Sequence, residues 1–171
     1  MRVGIAWATM MPDTALRIVP LDDVWRDWAH AQLEAWGMLL VVTRGELYDL
    51  TDSPGLVALR GEEPVGMLTY RLDGAACEVM SLESMVENIG AGTALLEAVA
   101  EIAREVGCRR LWLITTNDNL HAVGFYQRRG FHIAAIHVNA VAQSRKLKPQ
   151  IPLMGMDGIP LRDEIEMARD L

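Results

Sequence analysis

Residues 78–131 read EVMSLESMVENIGAGTALLEAVAEIAREVGCRRLWLITTNDNLHAVGFYQRRGF, and the order of elements in this stretch decides the fold. Between Gly90 and Val106, Leu95, Val99, Ile102 and Val106 recur on one helical face, Glu97, Glu101, Arg104 and Glu105 fall on others, and Gly107 ends the pattern. This amphipathic helix is flanked by two β-rich runs, residues 76–82 and 109–116. Strand, helix and strand in that order form a βαβ unit with parallel strands, the helix filling the crossover. A further helix suits residues 119–129, with Asn117, Asp118 or Asn119 as its cap and Gly130 as its stop.

Upstream, residues 16–19 form a short apolar run before Pro20, suited to an edge strand. Val24, Trp28, Ala31 and Ala35 then recur at helical spacing, and Gly37 follows as a stop. Residues 38–42 fit a strand or a buried turn of coil, interrupted by Thr43, Arg44 and Gly45. Runs at 56–59, 65–70 and 76–82, separated by Gly61–Pro64 and Asp73–Gly74, make a three-stranded meander. Downstream, residues 131–138 suit a strand. The tail, with Pro149, Pro152, Gly155, Gly158 and Pro160, reads as an ordered loop before a last strand marked by Ile165 and Met167.

The 171 residues, 51% of them hydrophobic, suit one compact domain over residues 16–171, with residues 1–15 as a flexible leader. A formal charge of −7, from 23 acidic and 16 basic residues, disfavours nucleic acid as a partner and suits a cationic or neutral small substrate. No apolar run approaches the ~20 residues that span a bilayer, so no membrane partner is expected. Cys77 and Cys108 sit beside apolar runs as buried free thiols, which points to a reducing, cytoplasmic setting.

Glu87, Asn88, Ile89, Gly90, Ala91, Gly92 and Thr93 lie between a strand and the start of the amphipathic helix. Two glycines let the backbone approach a ligand, and the free N–H groups of a helix's first turn suit a pyrophosphate. The run from Asn119 through Ala122, Phe125, Tyr126 and Gly130 to Phe131 resembles the Asn-x-x-Ala-x-x-Phe-Tyr-x-x-x-Gly-Phe motif of the GNAT superfamily of acyltransferases, and the segment from Leu82 to Gly92 resembles that family's acetyl-coenzyme A motif. Glu87 stands where the family has Arg or Gln, so binding there leans on backbone N–H groups.

The resemblance implies an α/β (α+β) fold: a GNAT-like mixed, mostly antiparallel sheet with helices on both faces and a splayed parallel strand pair that holds acetyl-coenzyme A. It also implies that Leu82, Glu83 and Ser84 end a strand splaying from residues 113–115, with Leu82 and Ser84 recognising the pantetheine arm through their backbone. Asn119 orients that arm or caps its helix, and Tyr126 brings a phenol to the thioester sulfur. The implied activity is N-acetyl transfer from acetyl-coenzyme A to a primary amine, directly within a ternary complex.

An amine nucleophile with pKa ~10.4 must lose a proton before it attacks. Glu78, four residues before Leu82 and so on the same strand face, is the candidate base, directly or through a water; the alternative is an ordinary solvated carboxylate. His121 and His132 lack partners at metal-ligand spacing, so no metal is expected. Trp25, Trp28 and Trp36 suit packing or homodimer contacts, and Arg145, Lys146 and Lys148 a solvated helix face or loop. A non-catalytic acyl-coenzyme A sensor on the same fold is the competing reading. A dinucleotide oxidoreductase ranks lower, because the third glycine of its fingerprint is missing.

Overall fold

The computed structural model describes residues 15–171, so the expected leader lies almost wholly outside the described residues. The elements run β1 (Leu16–Pro20), α1 (Asp23–Ala35), β2 (Leu40–Thr43), β3 (Glu46–Asp49), β4 (Gly55–Arg60), β5 (Glu63–Asp73), β6 (Ala76–Ser84), α2 (Ala91–Glu105), β7 (Arg110–Thr116), α3 (Leu120–Gln127), β8 (His132–His137), α4 (Ala140–Leu147) and β9 (Glu164–Asp170). Seven strands form one sheet in the order β1-β4-β5-β6-β7-β9-β8, while β2 and β3 pair separately as a hairpin. Among the described strands only β6 and β7 pair in parallel, and α2 is their crossover. The last strand, β9, slots between β7 and β8, antiparallel to both.

Local chemistry accounts for the boundaries. Asp22 caps α1 by accepting from the Val24 N–H at 3.0 Å. Gly107, at φ 85°, ends α2 in a Schellman turn, with the Gly107 N–H donating to Arg104 and the Cys108 N–H to Ala103. Leu95, Leu96, Val99, Ala100 and Ala103 of α2 bury against Leu68, Cys77, Val79, Leu111 and Leu113 on one sheet face. Each large apolar side chain so buried contributes roughly 1.5–3 kcal/mol relative to exposure.

The opposite face packs Val57, Leu59, Met67 and Met80 under α1 through Ala29 and Leu33. The stripe expected for α1 is therefore rotated: Val24 is 76% exposed, and the inward row is Trp25, Ala29 and Leu33. Trp25, Trp28 and Trp36 are partly buried against this second core. Two open readings are resolved: residues 40–43 are a strand, with Arg44 and Gly45 as the turn of the β2–β3 hairpin, and the basic run lies in and just after the helix α4. Arg145 is not simply solvated, since it donates to the carbonyls of Ile151, Pro152 and Leu161, and Lys148 donates to those of Gly37 and Leu40. Among the described residues no helix is long and apolar enough to cross a membrane.

Candidate active site

β6 and β7 pair only from Ala76↔Arg110 to Val79↔Leu113. Beyond that point β6 stays bonded to β5 as far as Ser84 and β7 to β9 as far as Thr116, which leaves a gap between them. Its cause is a bulge: Thr69 faces Ser81 and Tyr70 faces Val79, so Met80 is an extra residue that bends β6 away. The Met85 N–H donates to the Val65 carbonyl at 2.9 Å. Antiparallel groups alternate, so Glu83 bonds toward β5 while Leu82 and Ser84 turn their N–H and C=O groups into the gap. Both residues thus turn backbone groups that no neighbouring strand pairs toward the gap.

The same bulge overturns the face expected for Glu78. Without it, Glu78 and Leu82 would share a side; with it, Glu78 lies opposite Arg71 and Leu82 opposite Leu68, three residues apart on the unbulged β5. Leu82 packs toward the α2 core. Glu78, like Glu83 opposite Met67, lies on the α1 face.

At the near end of the gap stands the first turn of α2. Gly90 is its N-cap at φ 85° with no side-chain cap, and Asn88 before it also has positive φ, 61°. The first helical bond runs from Ala94 to Gly90, so the N–H groups of Ala91, Gly92 and Thr93 have no helical acceptor. Gly92 has a different reason to be small, since a Cβ there would sit 3.1 Å from Phe125 Cζ. Ile89 packs on the core, whereas Glu87 is exposed. Arg129 brings a positive charge to this turn: its Nε donates to Thr93 Oγ1 at 2.8 Å, its Nη1 donates to the Phe125 carbonyl at 2.7 Å, and its guanidinium stacks 3.6 Å over the Phe125 ring. Nothing in local spacing pointed to Arg129, because the contact joins residues 36 apart.

Asn119 caps α3, its Oδ1 accepting from the Ala122 N–H at 3.0 Å. Two turns on, Tyr126 is 8% exposed, with its ring edge-on to Phe125 and Phe131 at 5.2 and 5.4 Å. Its hydroxyl bonds to no described residue. Burial, reinforced by the Glu83 charge and opposed by Arg129, raises its pKa, so the phenol keeps its proton.

A splayed strand pair, a glycine-capped helix and an unbonded tyrosine hydroxyl coincide with a match of residues 21–131 to the model of the Acetyltransferase (GNAT) family. The chain belongs to the GNAT acetyltransferase family. It is 40% identical over 158 residues to the uncharacterized protein YxbD of Bacillus subtilis (strain 168), covering 91% of this chain and 99% of that protein. Among solved structures it resembles the IAA acetyltransferase from Bacillus cereus ATCC 14579, at TM-score 0.70 and 20% identity, over 92% of this chain and 100% of the other. It also resembles a GNAT acetyltransferase from Elizabethkingia anophelis with acetyl-CoA bound, at TM-score 0.66 and 20% identity, over 91% and 98%.

On the α1 face of this GNAT sheet lies a charged cluster. Glu78 is 1% exposed and accepts from Arg71 Nη2 at 2.8 Å, so it is no solvated strand carboxylate. Burial raises its pKa, with Arg71 pulling the other way. The Glu83 side chain is half-buried, its carboxylate bonds to no described residue, and its pKa is also raised by burial. Arg44, at φ 51°, stacks over the Trp112 ring at 4.4 Å, and Trp112 is the cross-strand partner of Glu78. At the end of β7, Asn117 and Asp118 pin the tail. Asn117 Oδ1 accepts from the N–H groups of Arg162 and Asp163, and Asp118 Oδ2 accepts from that of Met156. No group of three metal-ligating side chains occurs among the described residues.

Proposed function

We propose that this GNAT acetyltransferase transfers the acetyl group of acetyl-coenzyme A to a primary amine within one ternary complex. The observation that carries the reading is the gap between β6 and β7, edged by the free backbone groups of Leu82 and Ser84, together with a buried Tyr126 whose hydroxyl bonds to no described residue. The pantetheine arm adds to β6 as a strand would, and the Leu82 N–H donates to the thioester oxygen as charge develops there. Pyrophosphate takes the free N–H groups at the start of α2, and Arg129 supplies the positive charge that Glu87 does not.

The amine enters from the α1 face. Its nitrogen bonds to the thioester carbon, a carboxylate on β6 takes its proton, the carbon–sulfur bond breaks, and Tyr126 donates a proton to the departing thiolate. Glu78 fills the base role in this reading, since its Oε1 bonds to no described residue while Oε2 is held by Arg71. Glu83 is a second reading, favoured by its freedom from any ion pair. Direct transfer fits better than an acyl-enzyme, because Cys77 is fully buried and its thiol is pushed up to about 12 by burial, with smaller contributions from Cys108 and Glu78. Two buried, unpaired thiols also accord with a reducing, cytoplasmic setting.

The test is an amine panel with acetyl-coenzyme A, following thiol release and the mass of the product. Release matched by an acetylated amine supports transfer. Tight binding without release across the panel would favour a non-catalytic acyl-coenzyme A module.

A further inference from the structure

Arg44 Nα, at the tip of the β2–β3 hairpin, donates to Glu164 Oε2 at 2.7 Å, which anchors the turn to the start of β9. Between this turn, the end of β8 and the outer side of α4 lies a cavity of about 450 Å³, lined by Arg44, His137, Ala140, Gln143, Lys146 and Leu147. Most Arg and Lys side chains among the described residues are spent on carboxylates or carbonyls: Arg71 on Glu78, Arg110 on Glu166, Arg169 on Glu97, and Arg145 and Lys148 on carbonyls. The two cations lining the cavity are not. The guanidinium of Arg44 rests on the Trp112 ring, and Lys146 Nζ donates only to the neutral Gln143.

The acidic groups nearby are already engaged. Glu164 is 2% exposed and accepts from Ser144 Oγ as well as from the Arg44 N–H, and Glu166 is bonded to both Arg110 and His137. Arg44 makes no ion-pair bond, although its charge acts on the buried Glu78, and Lys146 has no carboxylate partner, so in a chain of net charge −7 the two cations lining this cavity mark a place for a negative group. Arg44 also ties this cavity to the chemistry. Its guanidinium lies 4.4 Å from Trp112, which pairs across the strand with Glu78, and adjacent strands are about 4.8 Å apart.

We propose that the acceptor is zwitterionic: its amine faces the β6 carboxylates, and a carboxylate or phosphonate-like group several bonds away is held by Arg44 and Lys146. This rests on the amine-acetylation reading above and adds the chemical class of the substrate. The anionic end lies in the hairpin–α4 cavity, so the carbon chain between the two ends runs along the Arg44 side chain that covers the buried Trp112.

The experiment compares n-alkylamines with aminoalkanoates of equal length, hexylamine against 6-aminohexanoate and propylamine against β-alanine, with 3-aminopropylphosphonate as a second anion. The expected kcat/KM ratio favours the anionic acceptors by roughly ten- to a hundredfold, the span of one or two charge-assisted hydrogen bonds. In R44M/K146M the ratio collapses toward one through KM. K146M alone changes a side chain at an open cavity and keeps the test valid if the double variant folds poorly. A parental ratio near one, or a ratio that survives both substitutions, overturns the proposal. If no amine of any kind is acetylated, the transfer reading fails on its own. Calorimetry on the coenzyme A-saturated protein then still decides: binding of 6-aminohexanoate but not hexylamine, lost in the variants, supports the anion site, and equal or absent heats refute it.

Discussion

Tyr126 combines an immobile ring with an unbonded hydroxyl and a pKa raised by burial, the arrangement a proton donor needs. Replacing it by Phe keeps the packing against Phe125 and Phe131, so folding and acetyl-coenzyme A affinity should persist while turnover falls by about 10- to 10⁴-fold. An acyl donor with a more acidic thiol should recover part of the loss. Stopped-flow assays of both donors check this; a parental rate in the Phe variant makes Tyr126 a packing residue. The base is decided by comparing Glu78→Gln with Glu83→Gln. The true base loses more rate with an alkylamine than with a weakly basic aromatic amine, whereas a structural residue loses equally with both. The raised Glu83 pKa also has a signature in stability. Burial raises the Glu83 pKa above its ordinary 4.5, so the folded state holds that proton more tightly, and parental stability declines as pH rises from 4.5 through the folded value. Glu83→Gln should therefore melt like the parent below that window and higher above it. Tyr126 was legible in the sequence because its spacing from Asn119 and Gly130 is local. Glu83 and Arg129 were not, because burial and a partner on another helix define them.

At the scale of elements, two glycines that look alike in sequence do different work. Gly90 needs its left-handed backbone, and a Cβ there would meet only Leu16 Cδ1 at 4.0 Å; Gly92 has ordinary φ but lies against Phe125. Gly90→Ala should cost about 1–2 kcal/mol through backbone strain and weaken acetyl-coenzyme A binding by disturbing the first turn of α2. Gly92→Ala should reduce stability through the clash with Phe125, a residue that also carries the Arg129 guanidinium. Melting curves and calorimetric titration together separate the two, and unchanged affinity in a folded Gly90→Ala variant would remove the pyrophosphate from that turn. The βαβ unit was readable because the apolar period of α2 is long and a glycine marks each end, Gly90 at the N-cap and Gly107 just past the C-cap Val106. The bulge at Met80 was not, since no residue type there announces it, and with it went the face of Glu78. The inward row of α1 escaped notice because Val24 competes with Trp25 for the stripe, and only packing against Leu59 and Met67 selects between them.

Across the whole molecule, the tail closes the sheet and reaches back to the motif. β9 fills the place beside β7, and the loop before it is held by Asn117 and Asp118, which directly precede the capping Asn119. The sequence marked that loop by its Pro and Gly content, yet its destination depends on contacts across some forty residues, as between Asp118 and Met156, 38 apart. Gly155 is where the two parts meet. A Cβ there would lie 2.0 Å from Asp118 Oδ2 and 2.5 Å from its Cγ, closer than any side chain can tolerate, and Asp118 is only 5% exposed. Gly155→Ala must therefore push the loop away and break the bond from the Met156 N–H. That leaves a buried carboxylate with neither oxygen bonded, since Oδ1 already lacks a partner among the described residues. The expected cost is about 1–3 kcal/mol, a drop in Tm of roughly 2–12 °C for a domain of this size. The kinetic effect should fall on the acceptor, because the loop follows α4, whereas the donor site proposed above lies on β6, α2 and α3. A rise in KM for the amine with an unchanged Kd for acetyl-coenzyme A is the outcome that places the tail in the acceptor site. A parallel loss of donor affinity would show instead that displacing Asp118 disturbs the cap of α3 and, through it, Tyr126.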